Sequence, residues 1–421
     1  MFAVRLTSQF TDGVFQVALA SYVIFSPERQ PSPAAIAAAL ATVLLPFSVL
    51  GPFVGVFLDR WSRRQVLALS NFARVALLLA LAVGFAVDLR GPGLFVLILV
   101  CLSVNRFLLA GLSAALPHVV RREDLMLANS LTPTGGTVAF IVGLAFGTLT
   151  RAAWDRLGVD GNVGVLVTAS VLYAVAGGLA MRIPRDLLGP DFDPALPAVR
   201  EAVRHVARGL VEGVRHLGLR RPALYGLAAI GAHRFFYGVS TVATILLYRN
   251  YFYGPGEVED AFGGLTVAVL VSGVGFLLAA VLTPVVTRRI GSRSWVLLLL
   301  TLAAVTEVFP GALYTHPSLL VASFFLGLAS QGIKICVDTL VQANVEDAYL
   351  GRVFAMYDVI FNVAFVAAAA VAAVVLPESG KSYLVLSAIA VGYLLTAVGY
   401  AWLTRPSASE EVADRSTTSA T

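Results

Sequence analysis

The chain has 421 residues, of which 58% are hydrophobic and only 13% charged, with a formal net charge of +5. Globular domains carry about a quarter charged residues, so this composition excludes water-soluble, disordered, fibrous and disulfide-rich secreted classes. The apolar content instead amounts to roughly twelve stretches of about 20 residues, the length of a helix that crosses a bilayer. Cys101 and Cys336, the only cysteines, both lie inside apolar runs, and the five histidines lack ligand spacing. No disulfide framework, metal site or cofactor is therefore expected.

Apolar runs bounded by breakers predict spans over 7–25, 34–57, 66–87, 93–115, 129–149 and 163–181, then 222–248, 262–286, 295–314, 318–340, 353–376 and 382–403. The first run is kept as a span, because Asp12 interrupts a signal-peptide reading and the later spans need it for parity. Connections are short and carry turn chemistry, as in Gly91-Pro92-Gly93 and Gly254-Pro255-Gly256. The exception is 182–221. Its four prolines precede Val199, Val203, Val206, Leu210, Val214 and Leu217 at helical spacing, interleaved with Arg200, Arg204, Arg208 and Arg215. That pattern predicts an amphipathic helix lying on a membrane surface.

The predicted organisation is a six-helix bundle over 1–181, a linker over 182–221, a second six-helix bundle over 222–404 and a disordered tail over 405–421. Twenty of the 30 Lys and Arg residues fall in the N-terminus, the loops 58–65, 116–128, 182–221, 287–294 and 341–352, and the tail, against six on the opposite side. Cytoplasmic loops hold such an excess. Both termini are thus expected in the cytoplasm of a multi-pass protein of the cell inner (plasma) membrane, and the positive charge is a topology signal that requires no nucleic acid.

Two halves joined by a basic linker prompt a search for repeats. Arg60 after span 2 recurs as Arg288 after span 8, and Arg106 in span 4 as Lys334 in span 10, both at a shift of 228. Glu123-Asp124-Leu125-Met126-Leu127 is echoed by Glu346-Asp347-Ala348-Tyr349-Leu350 at a shift of 223. The run from Gly55 through Asp59-Arg60 to Arg63-Arg64 resembles the G-x-x-x-D-R-x-x-R-R loop of the major facilitator superfamily, in the place that family has it. The stretch from Pro117 to Ser130 resembles its drug-efflux and siderophore-export branch. The exporter signature of span 5 is reduced to Gly143-Leu144-Ala145-Phe146-Gly147-Thr148. The resemblance implies an all-α fold of twelve transmembrane helices in two pseudo-symmetric bundles, with spans 1, 4, 7 and 10 lining a central cavity.

The loop signature has a physical reading of its own. Gly51 and Gly55 free one face of span 2 for close helix approach. Asp59, Arg60, Arg63 and Arg64 follow at the cytoplasmic mouth, where a carboxylate would bind the positive end of a helix of the other half near Gly351-Arg352. These contacts would close that side in one state of an alternating-access cycle; the plainer alternative is a loop that only fixes topology.

A charge at mid-bilayer costs at least about 2.5–3.5 kcal/mol on insertion scales and therefore faces a cavity or a partner. Asp12, Arg106, His233, Arg234, Lys334 and Asp338 all fall on spans 1, 4, 7 and 10, and Glu307 on the peripheral span 9. Gln9 adds a polar contact, and Arg74 is expected to snorkel from the inner end of span 3. Lys334 and Asp338, four residues apart, are able to neutralise each other. Asp12 then opposes Arg106 and Arg234, which favours an anionic, zwitterionic or amphiphilic small-molecule substrate, or makes Asp12 a proton carrier. Arg106 and Arg234 also admit a reading as interhelical struts.

The expected function is secondary transport of a small organic solute by a monomer, proton-coupled and outward. No phosphate-binding loop supplies ATP drive, and no hydrolase or metalloprotease motif supports an enzyme. A transport-silent sensor or scaffold on the same fold, or a transporter of lipid or lysolipid, are the alternatives.

Overall fold

The computed structural model describes residues 1–19, 32–41, 44, 61–87, 92–189, 206–254 and 256–405, and every regular element among them is helical. The long helices are α1 (Phe2–Leu19), α2 (Arg63–Ala86), α3 (Pro92–Ala115), α4 (Leu125–Arg156), α5 (Gly161–Met181), α6 (Val206–Leu219), α7 (Arg221–Leu246), α8 (Val258–Val308), α9 (His316–Asn344), α10 (Asp347–Val375) and α11 (Tyr383–Leu403). Residues 33–41 are the helical start of predicted span 2. Gly55, Asp59 and Arg60, the linker over 190–205 and the tail over 406–421 lie outside the described residues.

Among the described residues nine helices are long and apolar enough to cross a membrane. One of them is α8, which serves as two spans. The predicted loop 287–294 shrinks to a single break at Gly291, with φ 78° and ψ 157° inside otherwise continuous helix. Only a residue without Cβ adopts that backbone without strain. Helix α4 also exceeds its predicted span and carries Pro133 in its interior, which membrane helices tolerate when neighbours satisfy the freed backbone.

Loops alternate between two ends, and the contacts within each end show it. At the basic end the Arg63 amide donates to the Gly189 carbonyl at 3.0 Å, Ser62 to the Arg185 carbonyl at 3.0 Å and Arg293 to the Ala401 carbonyl at 2.9 Å. At the other end Asn250 donates to the Glu378 carbonyl at 2.6 Å. There Lys381 donates to the Tyr251 hydroxyl at 2.8 Å, a bond that raises the pKa of its ammonium.

Within the first half α1 crosses α4 at glycine. A Cβ at Gly143 would overlap the Phe10 carbonyl, and one at Gly13 the Phe140 carbonyl. This small-residue seam sets the helix separation where hydrophobic burial has no force, since lipid is as apolar as leucine. The outward faces are apolar in turn, as at Leu384, Leu395, Val398 and Trp402 of α11. Helix α6, within the predicted amphipathic stretch, docks on the base of α10, where Leu217 is buried and His216 stacks on Tyr349 with ring centroids 4.2 Å apart.

Candidate functional site: charges between the two bundles

Three charged groups organise the interior. The first lies within the amino-terminal bundle. Arg74 of α2 is fully buried and donates to Asp12 Oδ1 at 2.7 Å, to Asn105 at 3.2 Å and to Asn71 at 2.8 Å. Its guanidinium lies 4.1 Å from the centroid of the Tyr173 ring, and the Tyr173 hydroxyl donates to the same Asp12 oxygen at 2.5 Å. Ser8 donates to Asn71 at 3.0 Å and extends the network along α1. Two expectations are corrected here. Arg74 does not snorkel: its side chain is wholly buried and held by Asp12. The counter-charge of Asp12 is Arg74, not Arg106 or Arg234.

The second group faces the space between the bundles. Arg106 of α3 is 37% exposed and reaches Asp358 of α10 at 3.8 Å. Lys334 and Asp338 of α9 form the predicted internal pair at 2.5 Å, with Lys334 35% exposed and Asp338 buried, and Lys334 lies 5.6 Å from the centroid of the Tyr357 ring. Arg234 of α7 has no carboxylate within salt-bridge distance among the described residues. Its guanidinium instead lies 4.1 Å from the Phe361 ring centroid and 4.2 Å from that of Phe365. Arg stacked on aromatic faces in this way holds its plane fixed with its donors free to bind. Gln9 accepts from Arg5 Nε at 3.3 Å; Arg5 is itself buried and within electrostatic reach of Asp338.

The third group joins the bundles at the basic end. Arg63, fully buried, donates to Asp347 Oδ1 at 2.8 Å and to the Leu188 carbonyl at 3.1 Å. His118 stands between them, 3.1 Å from Arg63 Nη1 and 3.4 Å from Asp347 Oδ2. Asn129 of α4 donates to Gln342 of α9 at 2.5 Å, Gln342 donates to the Ser113 carbonyl at 2.9 Å, and Arg122 donates to the Ala343 carbonyl. Arg64 turns back to the Ile183 carbonyl at 3.4 Å and stays within its own half.

A helical chain with paired charges on inward faces and a polar latch across two bundles at one end has the build of a carrier, and comparison with known proteins decides which. The profile of the Major Facilitator Superfamily matches residues 1–288. The chain belongs to the Major Facilitator Superfamily.

Its relatives in this family include an uncharacterised transporter of the same type from Mycobacterium tuberculosis, 37% identical over 90% of this chain and 85% of the relative. A macrolide efflux protein of Streptococcus pyogenes is 21% identical over 86% of this chain and 85% of its own. Among solved structures, an outward-facing bacterial homologue of the iron transporter ferroportin superposes with a TM-score of 0.65 at 16% identity, covering 96% of this chain and 98% of that one. The protein is a multi-pass membrane transporter with the twelve-helix fold of that superfamily, as its sequence led one to expect.

Of the residues singled out in the sequence, the fold brings Arg106, Arg234, Lys334 and Asp338 toward the space between the bundles. Asp12 and Gln9 lie on α1, and Arg63 lies in the latch. Asp347, His118, Asp358, Arg5 and Tyr173 were missed. Asp347 carried a signal, the repeat echo of Glu123-Asp124. Asp358 lies in an apolar run as Arg106 does, and the same rule of mid-membrane charge would have found it.

Proposed function

We propose that the protein exports a small anionic or zwitterionic organic solute across the cell membrane by alternating access, driven by protons. The observation that carries the substrate class is the charge inventory of the central space. Arg106 is loosely countered by Asp358 and Lys334 is closely countered by Asp338, whereas Arg234 lies against aromatic rings with no carboxylate within salt-bridge distance among the described residues. Among the described residues this leaves a cationic surplus, and a stacked guanidinium with free donors is suited to a carboxylate or phosphate group. Phe361 and Phe365 beside it favour a solute with an apolar body.

Proton coupling rests on Asp12, whose protonation would release Arg74 and let α1 and α2 shift against each other. Gln9, Lys334 and Asp338 complete the coupling and substrate set. The basic end, with both termini, is assigned to the cytoplasm from its excess of Lys and Arg. The Arg63–Asp347 latch closes that face, and Gly55, Asp59 and Arg60 are assigned to the same gate on their sequence pattern. Outward direction is supported by the likeness to a macrolide efflux protein. The bundles over 1–181 and 222–404 act as the two rocking bodies, in a monomer.

The test is proton movement in everted vesicles with an acid interior, on adding organic anions, zwitterions, cations and lysolipids in turn. Dissipation of the gradient by an anion or zwitterion, lost in Arg234→Ala and in Asp12→Asn, is the expected result. Dissipation by cations alone overturns the substrate class. Binding of a solute with no transport by any class favours a sensor.

A further inference from the structure

Glu307, on the second leg of α8, has a buried side chain, with the residue only 3% exposed. Its one hydrogen bond is with Ser240 of α7, at 2.5 Å from Oε1. The groups that face it from the surrounding elements are neutral. They are Ser240 on α7, Tyr393 on α11, and Tyr314 in the 310–315 connection. The ammonium of Lys381 lies 5.2 Å from the Tyr314 ring centroid and is bonded to Tyr251. Asp12, Asp338, Asp347 and Asp358 each have a basic side chain within 4.0 Å. Among the described residues, Glu307 has none.

Hydrogen-bond bookkeeping points the same way. The Ser240 hydroxyl carries one proton and lies within bonding distance of two acceptors, Glu307 Oε1 at 2.5 Å and the Phe236 carbonyl at 3.2 Å. The Phe236 carbonyl already accepts the Ser240 amide within α7, so if Glu307 is ionised that single hydroxyl is its one donor among the described residues. If Glu307 is protonated, its O–H donates to Ser240 and Ser240 donates to Phe236, and no bare charge is buried. Toward the bundle centre the polar path continues. The Tyr393 hydroxyl lies within electrostatic reach of both Glu307 and Arg234. Its ring centroid is 5.6 Å from that of His233, whose two ring nitrogens are buried without a hydrogen-bond partner.

We propose that Glu307, with Ser240 as its hydroxyl partner, is a proton-binding site of the carboxy-terminal bundle, distinct from Asp12, and that Tyr393 and His233 mark its route to the central space. The step is a simple one. The carboxylate takes a proton from hydronium, leaving water, and becomes a carboxylic acid; on the other side the acid O–H bond breaks and the proton passes to water, restoring hydronium and the carboxylate. The proton site itself does not depend on which solute is carried; its part in driving transport rests on the function proposed above.

Infrared difference spectroscopy of the purified full-length protein in lipid nanodiscs at neutral pH tests the site without any substrate. A protonated-carboxyl C=O band is expected in the wild type. It should be lost in Glu307→Gln and retained in Asp12→Asn, and it should shift in frequency, without disappearing, in Ser240→Ala. If Glu307→Gln does not fold, the Ser240→Ala shift alone decides. Absence of the band in the wild type, or its indifference to Ser240→Ala, overturns the proposal. Loss of the band on replacing potassium with sodium does so too, by showing a metal cation at the carboxylate. In everted vesicles, Glu307→Gln should bind solute as the wild type does and lose the response to the pH gradient; a normal response removes Glu307 from the drive while the spectroscopic result stands.

Discussion

Asp12 of α1 and Arg74 of α2 form an ion pair of 2.7 Å whose guanidinium is wholly buried. Tyr173, Asn71 and Asn105 converge on the same pair. A pair so enclosed adds little over a well-packed apolar substitute, yet breaking it by removing one member strands a charge and costs about 3–5 kcal/mol. Arg74→Met should therefore lower the thermal midpoint in detergent sharply. Arg74→Met combined with Asp12→Asn should recover most of that loss. A double variant no better than Arg74→Met would show that Arg74 acts through packing on Tyr173 and not through charge.

The latch at the basic end gives a second expectation. Asp347→Asn leaves Arg63, which is fully buried, without its carboxylate and alters the contact with His118. A loss of about 3 kcal/mol on one side of a two-state equilibrium shifts it by roughly two decades. Spin labels at Leu187 and Arg289, exposed positions on the two halves at this end, should report a longer distance in Asp347→Asn than in the wild type. An unchanged distance distribution would mean that Asn129, Gln342 and Arg122 hold the end closed alone.

Gly143 and Gly178 are both helical glycines, and they should respond oppositely to Ala. A Cβ at Gly143 overlaps the backbone of α1, whereas one at Gly178 meets nothing within 4 Å. Gly143→Ala should destabilise by about 1–3 kcal/mol through forced separation of the helices. Gly178→Ala should be neutral or slightly stabilising. Thermal unfolding of the two variants side by side checks the contrast.

His216 makes the docking of α6 sensitive to pH. Burial against Tyr349 lowers its pKa below the ordinary value of 6.5, with Arg220 and Arg352 acting in the same sense and Glu346 opposing. A histidine depressed in the docked state favours docking fully above pH 6.5, and that contribution is lost as the pH falls through the docked-state value. Hydrogen exchange in α6 should accelerate between about pH 7.5 and 5.5 beyond the intrinsic rate, and His216→Phe should abolish the excess. Equal behaviour of the two proteins would place the pH response elsewhere.

Composition and hydrophobic period sufficed for the fold class, the number of spans and most of the residues that carry charge into the membrane, Asp358 being overlooked. These are local averages, and the bilayer imposes them on each segment separately: about 20 apolar residues per crossing, and every backbone group bonded within its own helix. The loop 287–294 was the main misreading of the path, because a single glycine at φ 78° reverses a chain as well as eight polar residues do. What the sequence could not determine is which charge answers which. Asp12 and Arg74 are 62 positions apart and Arg63 and Asp347 are 284 apart. Only the tertiary structure decides these pairs, because an ion pair depends on a separation of a few ångströms between helix faces, and the rotation of each helix about its axis is set by its neighbours and not by its own residues.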